Sequence, residues 1–198
     1  MTRILAVMTL LIGLAACTNP NDLDQAPADL GAFKLEHNIV VAPKMVKGPV
    51  SREATPDEWI ASLTGAIAER FDRYDGQQLY HFGVSVEGYV LAQPGIPVVA
   101  SPKSVLIINL TVWDDAKGKK LNEKPQQITV LESFSTKSVL GSGLTQSKEE
   151  QMLGLSRNAA KQIQDFLVKK HSEEGWFLRQ ETATDSASQD ADPAPRAD

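Results

Sequence analysis

Two segments of this chain carry the same signature, and each needs a surface to lie on. At Thr55-Pro56-Asp57-Glu58 an N-cap threonine precedes a proline at the first helical position and a glutamate at the third. Ile60, Leu63, Ile67, Phe71 and Tyr74 then recur on one side of a helix. A second capping box opens at Ser147-Lys148-Glu149-Glu150, and Met152, Leu155, Ala159, Ile163 and Phe166 repeat the same offsets. Lys169, Lys170 and His171 fall in a late turn of this helix and Gly175 reads as its C-cap. Each helix has one apolar face to bury.

The strands supply the partner for both faces. "LYHFGVSVEGYVL" (79–91) alternates, with Tyr80, Phe82, Val84 and Val86 on one side and His81, Ser85 and Glu87 on the other. That is the half-solvated pattern of an antiparallel strand. "SVLIINLTVW" (104–113) puts Leu106, Ile108, Leu110 and Val112 on one side, "DDAKGKK" turns the chain, and Ile128, Val130 and Phe134 share a face in "QQITVLESFS" (126–135). "NIVVAP" (38–43) reads as a fourth strand ahead of the first helix. The order β-α-β-β-β-α predicts an α+β two-layer sandwich: a four-stranded, mainly antiparallel sheet with two helices on one face.

The N-terminus is a processing signal. Met1 to Arg3 give a positive start, Ile4 to Leu14 an apolar run of signal-peptide length, and Ala15-Ala16 the small residues a peptidase accepts. A spanning helix needs about 20 apolar residues, whereas polar "TNPND" begins right after Cys17. Cys17 is the single cysteine among 198 residues, so no disulfide framework and no cysteine metal site can form. Residues 1–16 are expected to leave as a signal peptide, 17–35 to form a tether, 36–178 an α+β periplasmic domain and 179–198 a disordered acidic tail. The formal net charge is −5, and no Lys/Arg block is long enough to read as a nucleic-acid patch.

Catalytic constellations are sparse. His37, His81 and His171 stand at no metal-ligand spacing, so no metal, cofactor or catalytic residue is expected. "GSG" at 141–143 reads as a hinge rather than a phosphate loop. Candidate partner contacts are Lys117, Lys119 and Lys120, with Lys124, in the turn after Trp113, and the pair Trp176 and Phe177, which alternatively fold back on the last helix. Trp59 is expected to pack, and the apolar loop Ile96 to Ala100 is a further interaction candidate. The competing reading is an envelope enzyme or small-ligand module with a site on the polar strand face around His81 and Glu87.

Leu14-Ala15-Ala16-Cys17 resembles the lipobox of bacterial lipoproteins, which implies a diacylglycerol and an N-acyl chain such as palmitate on Cys17 and cleavage in front of it. A lipobox, a tether and β-α-β-β-β-α is similar in layout to the LPS-assembly lipoproteins and to the auxiliary lipoproteins of ABC-type lipid transport systems. The closest stretch runs from "SVLIINLTVWDDAKGKKL" through "ESFS" to "KEEQMLGLSRNAAKQIQDFL". The resemblance implies a non-enzymatic accessory of an envelope lipid transport complex, held in the bilayer through Cys17 and partnered by an envelope protein such as an outer-membrane barrel. Thr18, where an aspartate marks inner-membrane retention in lipoproteins of this kind, implies the periplasmic face of the outer membrane over that of the inner. The Cys-Gly-Phe start of LPS-assembly lipoproteins is replaced here by Cys17-Thr18-Asn19-Pro20 and the tail after 178 is extra, so no LPS-binding residue is carried over.

Overall fold

Both capping boxes form. In the computed structural model, which describes residues 20–93, 104–132 and 146–179, the Thr55 hydroxyl accepts from the Glu58 N–H at 3.2 Å while the Glu58 carboxylate accepts from the Thr55 N–H at 2.7 Å. Ser147 and Glu150 repeat the exchange at 3.1 and 2.8 Å. These caps open helix α1 (Pro56–Phe71) and helix α2 (Lys148–Glu174), and Gly175 ends α2 in the left-handed conformation at φ 68°, as a C-cap glycine does.

The strands are β1 (Phe33–Val41), β2 (Val46–Lys47), β3 (Gln78–Val90), β4 (Val105–Asp114), β5 (Lys119–Lys120) and β6 (Gln126–Leu131). The protein is α+β, as expected, but its sheet has six strands and is mixed. β1 and β2 run parallel to β3, whereas β3 with β4, and β4 with β5 and β6, are antiparallel. The expected four-stranded, mainly antiparallel sheet is corrected by one connection. The chain passes from β1 to β3 through α1, and a helical crossover lets the second strand run in the same direction as the first. Phe134, expected to continue β6, lies outside the described residues, as do the loop Ile96 to Ala100 and "GSG".

Both helices lie on one face. Tyr80, Phe82, Val84 and Val86 of β3, Leu106, Ile108, Leu110 and Val112 of β4, and Ile128 and Val130 of β6 are buried with Leu63, Ile67 and Phe71 of α1 and Met152, Leu155, Ala159 and Ile163 of α2. The α1 stripe is turned slightly from its expected line: Trp59 is fully buried 5.4 Å from the Tyr89 ring, while Ile60 is only half-buried. On α2, Leu167 takes the buried place expected for Phe166.

The segment expected to be a tether belongs to the fold from Pro20 onward. Leu30 and Phe33 are buried, and the Phe33 ring meets Phe71, Phe82 and Phe177 at centroid distances of 6.0, 5.8 and 5.0 Å. Burying one such ring contributes about 1.5–3 kcal/mol, which composition dominated by Asn, Asp and Pro had hidden. Arg70, 2% exposed on α1, donates to the Pro20 carbonyl at 2.9 Å, the Asp22 carboxylate at 2.7 Å and the Gln164 side chain at 2.9 Å. Burial alone pushes the Asp22 carboxyl up, but the hydrogen bonds and charges of Arg70 and Lys161 outweigh it and hold its pKa below the usual value.

At the other end, Trp176 and Phe177 are core residues and not partner contacts. Past the Gly175 cap the chain folds back, so Phe177 meets the Tyr80 ring at 4.8 Å and Trp176 meets Phe166 at 5.8 Å. Phe177 adopts φ 66°, a conformation L residues seldom take, and its aromatic contacts hold it there.

Candidate functional site

With both helices on one side, the other face of the sheet is left open among the described residues. In register across it stand His37, Ile39 and Val41 of β1, His81, Gly83 and Ser85 of β3, and Trp113, Thr111 and Asn109 of β4. Further along, Val90, Val105 and Leu131 come side by side. Ile39 is 55% exposed and Leu131 54%, with Val41 and Trp113 also exposed. The centre of this face is small and polar, and its two ends are apolar or aromatic.

One end carries a chain of three titratable side chains. His37 Nδ1 lies 3.0 Å from His81 Nδ1, and His81 Nε2 lies 3.0 Å from an Asp115 carboxylate oxygen. A bulge makes this possible. Leu35 pairs with Tyr80 and His37 with His81, so Glu36 is the extra residue, and the register shift swings His37 from the helix side to the open side. The same shift turns Asn38 and Val40 inward, where the Asn38 amide donates to the Thr64 carbonyl of α1 at 3.0 Å.

The pairing of His81 with Glu87 does not form. Glu87 is the extra residue of a second bulge between Val86 and Gly88, six positions along β3, a strand distance of about 20 Å. In its place His37 arrives from a strand 44 positions away in sequence and Asp115 from the end of β4. No spacing rule for one helix or one strand connects those three residues. The available signal was the broken alternation of "FKLEHNIVV", in which the phase slips at Glu36.

The lysine candidates sit at a hairpin tip. Lys117 is tied to the buried Asp114 carboxylate at 3.0 Å, while Lys119 and Lys120 are exposed on the two-residue β5. Lys124 is exposed beyond it. A cleft of about 400 Å³ lies elsewhere, between Gly31, Gly76, His171, Phe177 and Arg179 at the end of α2. Its walls are the packing of the two chain ends, and the His171 ring that lines it already bonds to the Trp176 carbonyl. Among the described residues no group of three or more His, Cys, Asp or Glu side chains is placed to enclose a metal ion. No helix there is long and apolar enough to cross a membrane. Cys17 lies outside the described residues.

The sequence matches no protein-family model and no curated protein. Among solved structures, the chain is similar to a Xanthomonas campestris protein of family DUF330, with 11% identity over 76% of this chain and 94% of that one and a TM-score of 0.46. It is also similar to a minor lipoprotein from Acinetobacter baumannii, with 16% identity over 66% of this chain and 93% of that one and a TM-score of 0.31. A third is PelC from Paraburkholderia phytofirmans, a dodecamer, with 8% identity over 68% and 90% and a TM-score of 0.36. With every TM-score below 0.5, the function of this chain rests on its own residues.

Proposed function

We propose that the chain is a lipid-anchored, non-enzymatic envelope lipoprotein on the periplasmic face of the outer membrane. Its open sheet face docks a protein partner in a complex that moves or assembles envelope lipids. The observation that carries the anchor is Leu14-Ala15-Ala16-Cys17 with Pro20, three residues after the cysteine, already held to the domain by Arg70. Three residues span at most about 10 Å, so an acylated Cys17 holds the domain against the bilayer surface rather than on a long leash. Two or more acyl chains, at about 0.8 kcal/mol per buried CH2, make that attachment effectively permanent. Pro20 contacts Arg70 and lines the outer side of α2 with Gly154 and Arg157. The helix layer therefore takes up the anchor, and the open face is left for the partner. The transport role is supported by the likeness of layout to LPS-assembly and ABC-type auxiliary lipoproteins.

Mass spectrometry of the N-terminal peptide tests the anchor. The mature protein should begin at Cys17 with diacylglycerol and N-acyl groups, and Cys17→Ser should abolish both the modification and detergent-phase partitioning. Identical partitioning of the two proteins would overturn the lipoprotein reading. For the docking face, a photo-crosslinking side chain at Thr111 should capture an envelope protein that one at Glu69, on the helix layer, does not.

A further inference from the structure

The two histidines of the open face point to a use that neither the anchor nor the docking surface explains. His81 Nε2 faces a carboxylate, and an ionised carboxylate only accepts, so Nε2 must carry the proton. In neutral His81 this leaves Nδ1 as a bare lone pair aimed at His37. That is the tautomer of a metal-ligating histidine, with an Asp behind its far nitrogen to fix the ring. His37, exposed on the edge strand, now donates its Nδ1 proton to that lone pair. Moving the proton to the other ring nitrogen, Nε2, frees a second Nδ1 lone pair with no change in net charge.

The two rings are also spaced as ligands. Two imidazole nitrogens held about 2.0–2.1 Å from one metal lie about 2.9 Å apart at a right angle and about 3.4 Å apart at the tetrahedral angle. The two Nδ1 atoms are 3.0 Å apart. Their ring centres are 4.8 Å apart with the planes tilted by 50°, so the two rings do not meet head-on. The bulge at Glu36 adds an independent sign. An in-register β1 would put Glu36, not His37, opposite His81, and bulges of this kind commonly re-aim a side chain next to a working site.

We propose that His37 and His81 chelate a borderline divalent transition metal through their Nδ1 atoms, with Asp115 orienting His81 and solvent filling the remaining positions. The sequence spacing gave no hint of metal binding, because the ligands meet only through the register of β1 on β3. With two nitrogen ligands and open positions the site is labile, and it follows the order in which copper(II) binds more tightly than nickel(II) or zinc(II). Trp113 stands directly opposite His81 on β4 and reports occupancy through its fluorescence.

The test is a copper(II) titration of the full chain in detergent, in a Cys17→Ser background so that no thiol competes. This makes the outcome independent of whether Cys17 is acylated. One equivalent should quench part of the tryptophan fluorescence and give an electron paramagnetic resonance signal split by two nitrogen nuclei. His37→Asn and His81→Asn should each weaken binding at least tenfold, and Asp115→Asn about tenfold through its effect on His81. Nickel(II) and zinc(II) should bind more weakly in the parent. Melting curves of the metal-free variants should match the parent, since His37 and Asp115 are exposed and His81 lies on the open face. Copper affinity unchanged in both histidine variants, or a signal with fewer than two coupled nitrogens, would overturn the proposal.

Discussion

The two faces of this sheet are made from the same strands and obey different rules. On the inner face, Tyr80, Phe82, Val84 and Val86 of β3 and Leu106, Ile108, Leu110 and Val112 of β4 are all buried against the helices. On the outer face, the residues between them are His81, Gly83 and Ser85, and Thr111, Asn109 and Ile107. The inner face is specified by volume and could be refilled by other apolar residues of similar size. The outer face is specified by which residues stand opposite one another. Its His37–His81–Asp115 chain exists only because a bulge sets one register.

The largest expected contrast comes from adjacent residues on β4. Leu110→Ala opens a cavity in the middle of the core and should cost about 2–5 kcal/mol. Thr111→Ala, one residue on and facing outward, should stay within about 0.5 kcal/mol. Phe177→Ala should fall with the first group, at about 3–5 kcal/mol, because its ring packs on both Phe33 and Tyr80. Chemical denaturation of the three variants measures all of this. Equal losses at Leu110 and Thr111 would mean that the two faces are not distinguished by burial.

Legibility in the sequence divides along the same line. Both helices, their caps and the inner faces of β3 and β4 follow from periodicity, because each is a repeat within one segment. The parallel pairing of β1 with β3 was hidden by the Glu36 bulge, which breaks the alternation of β1 and shifts its inward-facing positions from Phe33 and Leu35 to Asn38 and Val40. β2 and β5 are two residues each, too short for any period to show. The packed N-terminal segment was hidden for a different reason: besides Leu30 and Phe33 it is held by Asp22 and the Pro20 carbonyl, polar groups whose partner Arg70 lies on what reads as a charged helix surface. Of the three side chains joined on the open face, the sequence alone places only His81 on the polar side of a strand, and it couples His81 with Glu87 rather than with His37 and Asp115. A histidine pair formed across strands 44 positions apart leaves no mark in local spacing.

The carboxylates give a second and smaller contrast. Asp22 accepts a hydrogen bond and a charge from buried Arg70, whereas Asp115 is 55% exposed beside His81. Charge-assisted hydrogen bonds of the first kind are worth about 1.5–3 kcal/mol, and exposed pairs of the second kind typically under 1 kcal/mol. Asp22→Asn should therefore lower stability at neutral pH and Asp115→Asn should barely change it. The Asp22 pair also has a pH signature. The Asp22 pKa is lowered in the folded state, so its contribution is fully present above the unfolded carboxyl pKa, near 3.9, and is lost as pH falls through the depressed folded value. Between pH 5 and 2, wild type should lose stability more steeply than Asp22→Asn. Identical slopes for the two would take the Arg70–Asp22 pair out of the account.

The smallest expected effect is the most informative about the open face. Ile39 and Leu131 are large apolar side chains more than half exposed on opposite edges of the sheet. Side chains that remain in water after folding gain little from it, so Ile39→Thr with Leu131→Thr should shift stability by no more than about 0.5 kcal/mol each. Threonine keeps the β-branch that suits a strand, so backbone preference is not what changes. A loss as large as that of Leu110→Ala would mean that these side chains are covered in solution. Its dependence on protein concentration would then distinguish a second copy of the chain, whose contribution rises with concentration, from cover within the chain itself, which does not respond to it.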